Sequence, residues 1–353
     1  MKALVPSGGT GSRLRPITHT SAKQLVPVAN KPILFYGLES LAAAGITDVG
    51  LVVGETAAEI QAAVGDGSAW GLRVAYIRQD APLGLAHTVL IAREFLGGDD
   101  FVMYLGDNIL KGGVKAICDE FAAQKPNAQI LLAQVPEPQR FGVAELDGER
   151  VVRLVEKPAA PPSDWALVGV YVFDAHIHDA VRAITPSARG ELEITDAIQW
   201  LIDAGLDVRA HRIDGWWKDT GRLEDLLEAN RLILEGIAPD VRGAVGGTSR
   251  IDGSVILAAG ASVEGSTIRG PAVIGEGARI VDSFVGPYSS IGANCVIEDS
   301  EIEHSVIMDG CTIRGMHRLE DSLLGREVTV ERGESKPKAY RLMVGDHGRV
   351  GVI

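Results

Sequence analysis

A break between a short apolar run and a cluster of glycines constrains this chain more than any other feature. Ala3 to Val5 predict a buried strand, and a glycine-rich turn at 8–11 follows almost at once. The N–H groups of such a turn converge on an anion, and a helix beginning after it would add the positive end of its dipole. The pattern therefore predicts a strand, a glycine turn and a helix in succession, and the turn is either structural punctuation or a phosphate cradle.

Positive charge follows the turn at Arg13, Arg15 and Lys23, within reach of the same anion. The spacing does not fit two familiar phosphate loops. Leu14 stands where a dinucleotide-binding motif requires its third glycine, and the Gly-Lys-Ser/Thr of a Walker loop is missing. A nucleoside triphosphate held by arginine and lysine therefore fits these residues better than NAD does.

The N-terminal segment, through GGTGSRLRPIT, KQLVPV and NKP, resembles the signature of the sugar-1-phosphate nucleotidylyltransferases. The resemblance is closest to the glucose-1-phosphate thymidylyltransferases, although Ser7 stands where that family usually has alanine. It implies Mg²⁺-assisted displacement at the α-phosphorus of dTTP by glucose 1-phosphate, which gives dTDP-glucose and pyrophosphate. The nucleotide-binding residues that it implies are Gly8, Gly9, Thr10, Gly11, Ser12, Arg13, Gln24, Gln79, Pro82, Gly84 and Asp107.

Length and charge limit the possible classes of protein. A chain of 353 residues predicts two domains, and no apolar run reaches the roughly 18–20 residues of a membrane span. The short N-terminal apolar stretch is not typical of a signal peptide, and Cys118, Cys295 and Cys311 lack metal-ligand spacing. A net charge of −13 argues against nucleic acid and anionic membranes as partners. We expect a soluble cytoplasmic protein with reduced, buried thiols.

Helix-like and strand-like segments alternate from residue 33 to about residue 130. This alternation predicts a Rossmann-like α/β fold with a mixed, mainly parallel sheet covered by helices. Ligands of such sheets bind beyond the carboxyl ends of the strands. The predicted helices are Ile33–Ala44, Thr56–Val64 and Leu85–Phe95, and the predicted strands are Val49–Val53, Val74–Ile77 and Phe101–Leu105.

Two motifs directly follow these strands. QDAPLGLA has the composition of an ordinary strand-to-helix loop, but it begins at Gln79, whose amide offers a donor and an acceptor that match the imide edge of thymine or uracil. In the resembled family this glutamine and a following glycine, here Gly84, read the base. LGDN places Asp107 at a strand end, where a carboxylate either caps a turn or supplies a hard ligand for Mg²⁺. The resemblance favours the metal ligand.

The half of the site that binds the sugar is predicted from later motifs. The strands Gln129–Val135, Val143–Leu146, Val151–Glu156 and Leu167–Phe173 are interpreted as a mixed or antiparallel insert over the sheet. RFGVAE, VEKP, LVGVYVF and SARGELEITD resemble the family's sugar-phosphate motifs, and helices are predicted at Glu193–Ala204 and Glu224–Leu234. The sugar-phosphate residues that the resemblance implies are Leu85, Asn108, Gly142, Glu156, Lys157, Val168, Tyr171 and Arg189.

The motif WWKDTG, from Trp216 to Gly221, ends this part of the chain. We interpret Trp216 and Trp217 mainly as packing residues. The resemblance implies that Asp219 is a second metal carboxylate, which would bind one Mg²⁺ together with Asp107. The catalytic residues that it implies are Arg13, Lys23, Asp107 and Lys157.

Beyond residue 250 aromatic residues nearly vanish, and aliphatic residues recur every five or six positions after a first gap of twelve. This rhythm predicts a three-sided coil and resembles the left-handed parallel β-helix of hexapeptide-repeat proteins. We expect a catalytic domain at 1–235, a linker at 236–250, the coil at 251–335 and a basic tail at 336–353, in a homo-oligomer. The recurring positions are Ile256, Ile268, Ile274, Ile280, Val285, Ile291, Ile297, Ile302, Ile307, Ile313, Leu319, Leu324 and Val330.

The sequence leaves three alternatives open. Because Gln79 matches uracil as well as thymine, a UTP-dependent uridylyltransferase is the alternative within the class. Hexapeptide coils also occur in acetyl-CoA-dependent acetyltransferases, for which His304 or His317 would serve as the base. A non-catalytic relative would have lost charged residues of the site, and all of them are present.

Overall fold

The computed structural model of the protein describes residues 1–9, 11–19 and 21–332, which form an α/β part followed by a stack of short strands. The α/β part alternates apolar strands with helices, as expected for a sheet covered on both faces. Its strands are β1 (Lys2–Pro6), β2 (Pro27–Val28), β3 (Lys31–Pro32), β4 (Asp48–Val53), β5 (Arg73–Arg78), β6 (Phe101–Tyr104), β7 (Asn108–Leu110), β8 (Ala128–Gln134), β9 (Gly142–Asp147), β10 (Arg150–Glu156), β11 (Trp165–Phe173), β12 (Val208–Arg212) and β13 (Trp217–Asp219). Its helices are α1 (Ile33–Ala43), α2 (Ala57–Val64), α3 (Leu85–Ile91), α4 (Arg93–Leu96), α5 (Lys115–Gln124), α6 (Ile177–Ala183), α7 (Ile194–Asp203) and α8 (Leu223–Leu234).

The central sheet has nine strands in the order β5-β4-β1-β6-β11-β8-β12-β10-β9. Its first four strands are parallel, whereas β11 runs antiparallel to both β6 and β8. Side chains alternate across each strand, so Leu4 and Met103 pack in the apolar cluster on one face, and Ala3 and Val102 in the cluster on the other. Because β1, β4, β5 and β6 are parallel, their carboxyl ends meet at one edge of the sheet.

The strands predicted as an insert over this sheet are part of it. Strand β11 pairs with β6 along its second half and with β8 on its other side. Its residues from Ala166 to Phe173 are all buried, which requires cover on both faces of the strand. A continuous apolar run of this kind belongs inside a sheet, so the insert interpretation was wrong.

The predicted helices match the structure in position, with small changes in length. The helix predicted at Leu85–Phe95 is divided into α3 and α4, because Ala92 leaves the regular α conformation between them (φ −85°, ψ 1°). The sequence analysis did not predict α5, α6 or β12.

The short strands after α8 form three parallel sheets. Each strand pairs with the third strand that follows it, so the chain visits the three sheets in turn and makes a three-sided coil. The first sheet contains β14 (Asp240–Val241), β17 (Val255–Leu257), β20 (Ala272–Ile274), β23 (Ser289–Ile291), β26 (Val306–Ile307) and β29 (Leu323–Leu324). The second contains β15 (Ala244–Val245), β18 (Ser262–Glu264), β21 (Arg279–Val281), β24 (Val296–Glu298), β27 (Thr312–Arg314) and β30 (Thr329–Glu331). The third contains β16 (Arg250–Asp252), β19 (Thr267–Arg269), β22 (Phe284–Val285), β25 (Glu301–Glu303) and β28 (Leu319–Glu320).

In the first turns of the coil, the interior positions differ from those predicted. Ile256 is only partly buried, whereas Leu257 and Val263 are fully buried in the interior. With Leu257 and Val263 in the core, the predicted gap of twelve residues before Ile268 becomes gaps of six and five. The coil also begins earlier than predicted, since β14 lies inside the expected linker 236–250 and pairs with β17.

Asn230 of α8 joins the coil to the α/β part. Its side chain is buried, and its Oδ1 accepts hydrogen bonds from the N–H of Ala29 (2.8 Å) and the hydroxyl of Ser290 (2.6 Å). Its Nδ2 donates to the main-chain oxygen of Tyr288 (3.0 Å). Ala29 lies in the turn between β2 and β3, a few residues after Lys23. The coil therefore supports the segment that follows the glycine turn.

Two predictions lie wholly or partly outside the described residues: Thr10 in the glycine turn, and the tail at 336–353 with the last residues of the expected coil. Within the described ranges, no helix combines the length and the apolar character needed to cross a membrane.

Candidate active site

Two adjoining cavities open where the parallel strands of the α/β part end. The larger has a volume of about 590 Å³ and the smaller about 230 Å³. Both are lined by Leu85, Leu105, Asp107 and Glu191, so the cavities meet at Asp107. This is the edge at which the fold of an open α/β sheet places ligands.

The glycine turn lies against the smaller cavity, but no α-helix follows it. Gly8 and Gly9 line the cavity, and Gly11 has a left-handed backbone (φ 64°). A Cβ on Gly11 would lie 3.0 Å from the Cβ of Lys23, so this position requires glycine. A single 3₁₀ turn, Ser12–Leu14, takes the place of the predicted helix. Three residues add little dipole, so positive charge for a phosphate must come from side chains.

The carboxylates of Asp107 and Asp219 face one ammonium group, that of Lys23. The Nζ atom of Lys23 lies 2.5 Å from Asp107 Oδ2 and 3.9 Å from Asp219 Oδ1. The two aspartates come together because β7, directly after Asp107, pairs antiparallel with β13, which ends at Asp219. Gly221 leaves space beside them, since a Cβ there would lie 3.2 Å from Asp219 Oδ2 and 3.5 Å from Arg13 Nη2. Two acids and two cations thus converge at one point.

Burial and neighbouring charges shift the pKa values in this cluster. Burial raises the pKa of Asp219 to about 6, and the negative charge of Asp107 acts in the same direction. Burial also opposes ionisation of Asp107, but the ammonium of Lys23 outweighs it and holds the pKa of Asp107 below its usual range. The two carboxylates outweigh burial at Lys23 and raise its pKa, so this lysine stays charged. One buried lysine facing two carboxylates is an arrangement that suits a further cation.

A chain of hydrogen bonds orients Asp107. Asn108 Nδ2 donates to Asp107 Oδ1 (2.8 Å), and Trp217 Nε1 donates to Asn108 Oδ1 (2.5 Å). The hydroxyl of Thr220 donates to the main-chain oxygen of Asp107 (2.7 Å). Trp217 also lines the larger cavity, so it does more than the packing predicted for it. The sequence carries no signal for this role, because the partner of an indole N–H depends on what the fold places opposite it.

Glu156, Lys157 and Arg189 form a charged wall of the larger cavity. Glu156 Oε1 accepts hydrogen bonds from Lys157 Nζ (2.8 Å) and Arg189 Nη1 (3.4 Å). Arg189 also pairs with Glu191 at 3.1 Å and with Glu193 at 3.3 Å. A phosphate entering this cavity would therefore compete with carboxylates for the two cations.

Val168 is the predicted site residue whose side chain faces away from the cavities. It packs in the core with Val170, while its neighbours Leu167 and Gly169 line the larger cavity. Tyr171 lies on the same side of β11 as these neighbours, because side chains alternate along a strand. The predicted wall therefore includes Tyr171 but excludes the side chain of Val168.

The other predicted residues that the structure describes lie in or next to the cavities. Gly11 shapes the turn, and Lys23 reaches Asp107 from behind the wall. The larger cavity is lined by Ser12, Arg13, Leu85, Asp107, Asn108, Gly142, Glu156, Lys157, Tyr171, Arg189 and Asp219. The smaller is lined by Gly8, Gly9, Gln24, Gln79, Pro82, Gly84, Leu85 and Asp107.

Arg140 lines the larger cavity although the sequence did not single it out. Its guanidinium lies 2.9 Å from Glu137 and 3.7 Å from Asp225. An arginine before an aromatic residue is too common to mark a site. The two histidines considered for acetyl transfer, His304 and His317, lie on the coil and line neither cavity.

Both the sequence and the fold of this chain are similar to those of known proteins. A family model described as nucleotidyl transferase matches residues 2–236. Proteins described as glucose-1-phosphate thymidylyltransferase from Streptomyces griseus and Streptomyces antibioticus are 60% and 56% identical, and each match covers 100% of this chain and 99% of the relative. A Bacillus anthracis crystal structure with sucrose, described as a candidate glucose-1-phosphate thymidylyltransferase, is 36% identical with a TM-score of 0.62. The match covers 66% of this chain and 94% of that chain.

Proposed function

The chain belongs to the nucleotidyl transferase family and, within it, to the glucose-1-phosphate thymidylyltransferases, and on this premise we propose that it makes dTDP-glucose and pyrophosphate from dTTP and glucose 1-phosphate. An oxygen of the sugar phosphate attacks the α-phosphorus of dTTP, and the bond from that phosphorus to the bridging oxygen of pyrophosphate breaks. The observation that supports this most directly is the convergence of Arg13, Lys23, Asp107 and Asp219 where the two cavities meet.

This reaction needs positioning and charge more than it needs a base. The attacking phosphate oxygen is already ionised at neutral pH, so no proton has to be removed from it. The protein must instead bring two polyanions into line and stabilise the charge that develops on the α-phosphoryl group and the leaving pyrophosphate. Cavities of unequal size that share Asp107 provide two compartments for these substrates.

Four cationic side chains are proposed to divide this work. Lys157 and Arg189 hold the attacking phosphate in the larger cavity, in exchange for their contacts with Glu156. Arg13, exposed at the cavity wall, stabilises the transition state and the pyrophosphate. Lys23 assists from a buried position, where its charge is weakly screened.

The residues of the charged cluster fit a divalent cation, and we propose Mg²⁺. Asp107 and Asp219 offer hard oxygen donors, and Mg²⁺ typically takes one or two carboxylates together with substrate phosphates. The ammonium of Lys23 leaves part of the negative charge of the two acids uncompensated. Bound there, the ion would neutralise charge on the α- and β-phosphates of the nucleotide.

Gln79 and Gly84 line the smaller cavity and are proposed to contact the base. They would accept uracil as well as thymine, so UTP is the alternative nucleotide. The full-length relatives described as thymidylyltransferases favour dTTP.

We further propose that the three-sided coil is a left-handed parallel β-helix and that residues 1–235 form the catalytic domain. The last helix of the α/β part ends at Leu234, and the first strand of the coil begins at Asp240. The coil would support the segment around Ala29 through Asn230, in a cytoplasmic homo-oligomer.

Release of pyrophosphate across a panel of nucleotides and sugar phosphates tests the proposed function. We expect the highest kcat/KM with dTTP and glucose 1-phosphate, lower activity with UTP, and none after a chelator removes divalent cations. Activity restored by Mg²⁺ in the wild type, but not in the Asp107→Asn variant, would support the proposed cation site. Turnover of UTP in clear preference to dTTP would contradict the thymidylyl assignment.

A further inference from the structure

We propose that His87 determines which base this site accepts, by holding the amide of Gln79 so that only its oxygen faces the nucleotide. A lone acceptor selects a pyrimidine with a ring N–H, as thymine and uracil have, over cytosine. His87 lines neither cavity and acts through Gln79, so it is a positioning residue. The inference rests on the proposed function of the smaller cavity as the base site.

A main-chain hydrogen bond fixes the backbone position of Gln79. It is the first residue after β5, and its N–H donates to the main-chain oxygen of Val53 (2.9 Å). The side chain lines the smaller cavity, and a Cβ on Gly8 would lie 3.3 Å from Oε1. The carbonyl oxygen of the amide therefore faces the glycine turn.

The amide nitrogen of Gln79 has two partners on the opposite side. It lies 3.4 Å from the main-chain oxygen of Gly84 and 3.1 Å from Nδ1 of His87. A carbonyl oxygen only accepts hydrogen bonds, so the NH₂ group belongs on the side of Gly84. The reversed amide would bring two oxygens together there. It follows that Nδ1 of His87 accepts the second N–H, and that the ring carries its proton on Nε2.

The loop that carries these partners is held firmly. Gly84 has φ 101°, and a Cβ on it would lie 2.4 Å from the main-chain oxygen of Leu192. On either side, the N–H of Ala86 donates to Leu192 O (3.0 Å), and the N–H of Leu192 donates to Leu83 O (2.8 Å). His87 stands in the first turn of α3, directly after this junction. The acceptor at Nδ1 is therefore fixed relative to Gln79.

Both amide hydrogens of Gln79 are thus engaged, and only Oε1 is left for a ligand. The sequence analysis expected both the donor and the acceptor of this amide to contact the base, whereas here the acceptor alone would do so. The N3–H of thymine or uracil donates to Oε1, whereas N3 of cytosine is itself an acceptor and would face it without a hydrogen. Sites of this kind reject an analogue that leaves a buried polar group unpaired.

Three variants of His87 test the role of its acceptor. In His87→Asn, Oδ1 replaces Nδ1 as an acceptor, His87→Leu has no partner, and His87→Lys can only donate. We would measure kcat/KM for dTTP and for dCTP, with glucose 1-phosphate, in each variant. His317→Leu, which removes an exposed histidine on the coil, is the control.

We expect the ratio of kcat/KM for dTTP to that for dCTP to fall about tenfold in His87→Leu, the usual order for losing one well-placed hydrogen bond. His87→Lys should lower the ratio further, because its ammonium attracts Oε1 away from the base. His87→Asn and His317→Leu should keep the ratio within about threefold of wild type. An equal loss for dTTP and dCTP in His87→Leu and His87→Lys would overturn the proposal, since it would indicate a merely structural role.

A measurement on the wild-type protein separates this proposal from the proposed function. The ¹⁵N spectrum of the His87 imidazole, without ligand, should show the tautomer with hydrogen on Nε2. Hydrogen on Nδ1 would overturn the role of His87 whatever the enzyme turns over. If the wild type does not use dTTP, the proposed function fails, and the relative affinities of dTTP and dCTP for wild type and His87→Leu then decide the present inference.

Discussion

The serine ladder of the coil and the cavity edge of the α/β part differ in how their buried polar groups are paired. In the coil, the hydroxyl of Ser283 donates to Val281 O within its own turn and accepts the N–H of Ser300 from the next turn. The serine of the preceding turn, Ser266, makes the same pair of bonds, seventeen residues earlier. Around the cavities, by contrast, Oε1 of Gln24 is buried without a partner among the described residues. These serines satisfy one another from turn to turn, although Oγ of Ser289 in the coil is also buried without a described partner. At the smaller cavity, Gln24 leaves its Oε1 available to a ligand.

The coil and the cavity edge of the α/β part also differ in where their charged side chains lie. Several charged pairs on the outer surface of the coil link successive turns, as Arg318 does with Glu303. Near the cavities the ammonium of Lys23 is buried between Asp107 and Asp219. Exposed pairs contribute little to stability, whereas buried charges interact strongly and demand partners. The coil is therefore built for stacking, and the edge of the α/β sheet for binding polyanions.

The sharpest test of this contrast removes one cation from the site. Arg13→Ala should lower kcat/KM by about 10²–10³, as removal of one preorganised charge donor does, without loss of fold. Steady-state kinetics with dTTP and glucose 1-phosphate would measure the effect, with circular dichroism as a check on folding. Arg15→Ala, which removes an exposed arginine that lines neither cavity, is the matched control. Wild-type kcat/KM in Arg13→Ala would remove Arg13 from the mechanism.

A second variant breaks the junction between the two regions. Asn230→Ala leaves the N–H of Ala29 and the oxygen of Tyr288 without their partner, which should cost about 1–3 kcal/mol of unfolding free energy. Urea unfolding would measure the loss. Asn230→Asp buries a carboxylate without a cationic partner and brings its oxygen against the oxygen of Tyr288, so it should lower the unfolding free energy at least as much as Asn230→Ala. Reduced kcat/KM under conditions in which Asn230→Ala is fully folded would show that the coil positions the segment after Lys23.

A third variant tests the coil alone. Ile297 is fully buried in the interior, so Ile297→Val should lower the unfolding free energy by about 0.5–1.5 kcal/mol. We expect kcat/KM at 25 °C to stay at the wild-type value, because this side chain contributes to no cavity of the site. Differential scanning calorimetry and kinetics on the same sample would check both. Reduced kcat/KM in the folded variant would contradict the view that the interior of the coil contributes to stability and not to activity.

The smallest effect expected is a pH dependence confined to the α/β part. Burial lowers the pKa of His178, with Arg93 acting in the same direction, and Nε2 of its ring is buried without a described partner. The unfolded chain therefore takes up a proton near pH 6.5 that the folded ring does not, and stability is full above that pH and falls below it. Urea midpoints at pH 7.5 and 5.5 should differ less in His178→Leu than in wild type. The same difference in both proteins would count against His178 as the cause.

Local patterns of residues were enough to predict the repeat, the glycine turn and the types of charge in the site. The coil period is a local property, and it correctly predicted interior positions such as Ile268 and Ile297. It missed Leu257 because three apolar residues stand in a row, and only the pairing of β17 decides that Val255 and Leu257 face inward while Ile256 faces outward.

The tertiary structure alone decided how those residues meet. Asp107 and Asp219 share Lys23 because β7 pairs with β13, and no local pattern specifies a pairing between strands so far apart in the chain. The amide orientation of Gln79 depends in the same way on His87, eight residues away on another element. Periodicity and residue type act over short stretches of chain, whereas hydrogen-bond partners and burial depend on contacts that folding creates.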